Sequence, residues 1–67
     1  MKTITACSLS DLEDALYIEH ELTPTNRDWR DDMRFFGHTE FDYHECEFVR
    51  VTALGDNRFG LTEVLRA

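Results

Sequence analysis

The residue types best suited to chemistry gather in the middle of the chain. His38, His44 and Cys46 lie close in sequence, and His20 or Cys7 would complete a tetrahedral metal set. In an extended segment His44 and Cys46 share one face, but a structural zinc site generally draws on two such ligand pairs and the sequence offers one. The same pair suggests a cysteine nucleophile activated by histidine. Glu45 and Glu47 flank that thiol, however, and oppose formation of its anion. Fourteen acidic residues supply carboxylates for acid–base hydrolysis, yet one small core leaves little depth in which to desolvate a carboxyl group and raise its pKa. Gly55 and Gly60 are separated by a turn and open no helix, so no phosphate-cradling loop is present. These residues therefore read as a non-enzyme that takes neither metal nor cofactor.

Two groups remain as candidates for binding another molecule. Glu40, Asp42, Glu45 and Glu47 alternate with Phe41 and Tyr43, an arrangement that joins carboxylates for steering to aromatic rings that can fill a pocket. Its bland alternative is a loop whose rings face the chain's own core. Arg27, Arg30 and Arg34 form a row on a predicted helix and make a secondary partner-binding candidate for a carboxylate or phosphate. The alternative there is a solvated face relieved by Asp31.

The elements that must position these groups follow from pattern. Lys2 to Cys7 alternates with period two and predicts a strand burying Ile4 and Ala6. Ser8 or Ser10 then caps a helix, Ser10 with Glu13 matching a capping box, and Leu9, Leu12, Ala15, Leu16 and Leu22 form its apolar stripe up to Pro24. Thr25 or Asn26 starts a second helix with Trp29, Met33 and Phe36 on one face and Gly37 as its left-handed cap. His38 to Glu47 resists assignment, because the apolar parity of Phe41 and Tyr43 switches at Cys46 and Phe48. Phe48 to Leu54 and Arg58 to Leu65 form a hairpin about Gly55-Asp56-Asn57, with Val49, Val51 and Ala53 on one side. The expectation is a single domain over residues 1–67: an α+β sandwich of order β-α-α-β-β, with a three-stranded antiparallel sheet carrying two helices on one face. Its core would hold Trp29, Met33, Phe36, Leu12, Leu16, Val49 and Val51.

Composition narrows the partners. Seven basic against fourteen acidic residues leave a net charge of −7, which opposes direct nucleic-acid binding and favours basic partners. No apolar run approaches the ~20 residues of a membrane span, and Met1-Lys2 leads into alternating Thr and Ile rather than a signal core. Cytoplasmic localisation and free thiols are expected.

In length, charge, the β-α-α-β-β pattern and the stretch E-F-D-Y-H-E-C-E-F, the chain resembles the small acidic proteins with which phages and mobile elements disable host machinery, anti-CRISPR proteins and inhibitors of host polymerases among them. The resemblance implies a non-enzymatic inhibitor that occupies a basic, nucleic-acid-binding surface of a host protein or ribonucleoprotein. The alternatives are a homodimeric assembly protein, paired through an uncovered sheet face, and a small metal-binding regulator. Chelation separates the last of these from the rest: the melting temperature of the purified protein is expected to stay unchanged when a chelator is added, and a large drop would establish a structural metal.

Overall fold

The computed structural model describes residues 2–42 and 47–65, and Tyr43, His44, Glu45 and Cys46 lie outside the described residues. The chain runs β1 (Lys2–Thr5), α1 (Leu9–His20), β2 (Thr23–Pro24), α2 (Trp29–Phe36), β3 (His38–Asp42), β4 (Glu47–Gly55) and β5 (Arg58–Leu65). The strands form one antiparallel five-stranded sheet in the order β1-β5-β4-β3-β2. The expected three-stranded sheet is therefore corrected to five strands, while the α+β class stands.

Both added strands have physical causes. In β3 the alternation of Thr39 and Phe41 with His38, Glu40 and Asp42 is that of a strand with one buried face, and both inward residues are buried. β2 is two residues long because Pro24, which has no amide hydrogen to donate, is tolerated only at a sheet edge. The Thr25 amide then donates to the Glu40 carbonyl at 3.2 Å and extends the pairing by one bond.

Period two sorts the sheet into faces. Rows Phe41–Val49–Glu63, Thr39–Val51–Leu61–Lys2 and Ala53–Phe59–Ile4 point to one side. Phe41, Val49, Val51, Phe59 and Leu61 from these rows share a single buried cluster with Leu12 and Leu16 of α1 and Trp29 and Met33 of α2. Both helices consequently cover that side. The opposite side carries the rows Asp42–Phe48–Val64, Glu40–Arg50–Thr62 and His38–Thr52–Gly60–Thr3, with neither helix over it.

Local chemistry sets the helix ends. Ser8 caps α1, its hydroxyl accepting from the Asp11 amide at 3.1 Å, so the cap lies two residues before the expected capping box. α1 stops at His20, before Pro24 can act, because Glu21 takes the left-handed conformation (φ 58°), its amide donating to the Tyr17 carbonyl and the Leu22 amide to the Leu16 carbonyl, each at 3.0 Å. α2 begins at Trp29, later than expected, since Asn26 builds a turn first: its Oδ1 accepts from the Asp28 amide at 3.0 Å and its carbonyl from the Trp29 amide at 3.1 Å. Gly37 ends it with φ 77°.

The β4–β5 hairpin matches its sequence signal. Asp56 and Asn57 both have positive φ (53° and 61°), the geometry of a two-residue type I′ turn, which these residue types tolerate. Asn57 also accepts a 2.9 Å hydrogen bond from the Ala6 amide, fastening the end of β1 to the hairpin tip.

One core assignment is corrected. Phe36 is 68% exposed, because at i+4 it falls in line with Asp32 on the flank of α2 facing the edge of β3, while Trp29 and Met33 face inward. Trp29 and Phe41 meet edge to face with centroids 5.2 Å apart. Truncating Trp29 to Ala is expected to cost ~3 to 5 kcal/mol, and a double-mutant cycle with Phe41→Leu should return ~0.5 to 1.5 kcal/mol of coupling in urea denaturation.

Candidate functional site

The residues singled out from sequence do not form one surface. Phe41 is fully buried against Trp29, so its expected role as an anchor for a partner is corrected: the ring belongs to the core. Glu40 and Asp42 point to the uncovered sheet side, where Arg50 donates to Glu40 Oε2 at 3.2 Å. Glu47 opens β4, and Tyr43 and Glu45 lie outside the described residues.

The arginine row is also dispersed. Arg27 sits in the turn before α2 and is off the helix. Arg30 lies 5.3 Å over the Trp29 ring centroid and reaches across to Glu13 of α1 at 2.8 Å, while Arg34 pairs with Asp31 at 3.4 Å. These pairs are solvent-exposed and each stabilises by at most ~1 kcal/mol. Two of the three guanidinium groups thus already hold carboxylates within the molecule.

The metal candidates are equally apart. Among the described residues no group of three His, Cys, Asp or Glu side chains comes together for an ion. Cys7 is exposed and free, His20 lies in the last turn of α1, and His38 sits beside the Phe36 ring with centroids 6.2 Å apart. His44 and Cys46 lie outside the described residues.

A further surface lies on α1, whose acids read from the sequence as an extension of the negative field, with Tyr17 and Ile18 left out of that reading. Every Asp, Glu, Lys or Arg of this helix is an acid: Asp11, Glu13, Asp14 and Glu19. With Leu12 and Leu16 turned inward, Tyr17 and Ile18 stand 63% and 76% exposed. Asp14 precedes them by three and four positions and so is their neighbour on the outer face, with Asp11 one turn further back. The readable signal was the width of the apolar run: Leu16, Tyr17 and Ile18 in succession exceed one helical stripe, so some of them must face outward.

The C-terminal end of α1 adds a concavity. A cleft of about 350 Å³ opens between that end and strands β4 and β5, which is within the range of small ligand sites. Buried Leu22, Val49 and Leu61 form its floor, and Glu19, Glu63 and Lys2 stand among the residues around it. Carboxylates here oppose the local field, since the last turn of a helix favours cations. Glu21, the left-handed cap, also lines the cleft at a position where glycine is the ordinary choice.

No helix among the described residues is long and apolar enough to cross a membrane. Compared with protein families, with curated proteins and with solved structures, the chain matches none.

The burial pattern separates core from surface by stability. Phe41→Ala is expected to cost ~3 to 5 kcal/mol, whereas Tyr17→Ser and Ile18→Ser should stay within ~0.5 kcal/mol of the parent. Glu21→Gly should add about 1 kcal/mol by relieving the left-handed backbone. Urea titration of the four variants reads all of these.

Proposed function

We propose that this protein is a non-enzymatic binding module that sets the acidic outer face of α1 against a basic surface of a larger protein. That surface is one that otherwise holds nucleic acid, so the module acts as an inhibitor in the manner of the small acidic anti-CRISPR proteins. The observation that carries this reading is the pairing of exposed Tyr17 and Ile18 with carboxylates on a helix that bears no Lys or Arg. Aromatic and aliphatic side chains left in water beside like charges are poor for solubility alone, and they suit an interface core with a charged rim. The net charge of −7 supplies the steering field. Carboxylates would take the Arg and Lys groups that phosphates otherwise occupy, and no bond is made or broken.

The two kinds of residue should separate kinetically on a partner captured from a host lysate. Asp11→Asn with Asp14→Asn is expected to slow association several-fold and flatten its salt dependence. Tyr17→Ala and Ile18→Ala should chiefly speed dissociation, by ~10-fold or more for a buried anchor. The module should also displace an oligonucleotide from that partner. Unchanged rates in all three variants, or undisturbed nucleic-acid binding at saturation, would overturn the reading.

A second reading has one observation behind it. Phe48 and Val64 lie side by side on the uncovered sheet side, each half-buried, and would seat a second copy in an assembly protein. Light scattering over a hundred-fold concentration range decides it, a monomer throughout excluding the dimer.

A further inference from the structure

We infer that the cleft at the C-terminal end of α1 is a receptor for one arginine side chain of the basic partner. The inference rests on the binding function proposed above and names the contact that would give it specificity. Three features of the cleft fit this occupant. Its floor is apolar and buried, formed by Leu22, Val49 and Leu61, which suits the methylene stem of a long side chain. Its rim carries Glu19 of α1 and Glu63 of β5, carboxylates from two separate elements that flank the same opening. The negative end of the α1 dipole adds to the same potential, so the field at the mouth favours a cation.

The size is compatible as well. At about 350 Å³ the cleft is at the small end of ligand sites and has room for one long side chain. A guanidinium group fits better than an ammonium group, because it is flat, weakly hydrated and able to bond two carboxylates through separate edges. The module's own Lys2 stands on the rim and weakens the negative potential there, which makes it a natural modulator of the site.

The placement also accounts for a local conflict. The left-handed cap of a helix is ordinarily glycine, whereas α1 has Glu21 there, and Glu19 stands beside His20 in a last turn that favours cations. A carboxylate in that turn stands against the helix dipole, and a bound guanidinium would offset the cost.

Nα-acetyl-arginine amide is the probe, followed by amide chemical shifts of the full chain. Saturable shifts are expected at Leu22, Val49 and Leu61 with a dissociation constant of about a millimolar, the range open to one side chain. The citrulline analogue, isosteric and uncharged, should bind at least ten-fold more weakly. Glu19→Gln with Glu63→Gln should weaken the arginine probe about ten-fold, and both positions are exposed, so the fold should persist. Lys2→Gln should tighten it two- to three-fold. Shifts that are absent from the cleft at 50-fold excess over the expected constant, or equal affinity for citrulline, would overturn the inference. If the α1 variants still impair partner binding in that case, the inhibitor reading survives without the cleft. If the probe binds but the α1 variants have no effect, the cleft stands and the outer-face reading falls.

Discussion

The edge-to-face contact of Trp29 with Phe41 joins the helical layer to the sheet, and most of the architecture follows from it. Phe41 can meet Trp29 only if β3 presents its odd positions to the helices, which fixes the register of His38–Asp42 against β4. A slip of one residue would turn Phe41 to water and bring Glu40 and Asp42 inward. Trp29 in turn carries the Arg30 guanidinium over its ring, and Arg30 reaches Glu13. This aromatic pair therefore positions β3 and α2, while Leu12 and Leu16 seat α1 in the same buried cluster.

The strong patterns in the sequence were legible and the weak ones were not. The β4–β5 hairpin announced itself by alternation and by Asp56-Asn57, since few residue types accept two successive positive φ values. Gly37 likewise marked the end of α2. β3 was obscured by its sequel: the parity of Phe41 and Tyr43 breaks at Cys46, and the break masked five residues of sound alternation. β2 carries almost no signal, because two residues have no periodicity and Pro24 reads as a breaker. Phe36 satisfied the helical spacing but failed in tertiary context, where only two turns of α2 lie over the sheet. Charge and aromaticity were sought together on the strand, where Phe41 is needed for packing.

Charge is unevenly divided between the two layers. On the uncovered sheet side Glu40 and Asp42 are matched by Arg50 and Arg58, whereas α1 has acids alone. Within a few ångströms such an excess produces a directional field, and a positively charged body approaching at physiological salt senses it over roughly one Debye length, ~8 Å. The molecule thus has a front and a back for long-range encounter, although its overall composition describes only a diffuse negative charge.

The position of β1 has a consequence for how the chain reaches this structure. β1 precedes the other described strands in the chain, yet its neighbour is β5, with Lys2 opposite Leu61 and Thr5 opposite Arg58. A ribosome delivers residues from the N-terminus, so β1 emerges without a partner and waits until the hairpin is complete. In the meantime α1 and the β4–β5 hairpin can form from local contacts, while β1 must close the longest loop in the fold. The bond from the Ala6 amide to the Asn57 carbonyl ties the start of the chain to the hairpin tip, so the entropy of closing that loop falls on β1 and leaves the hairpin's own contacts local.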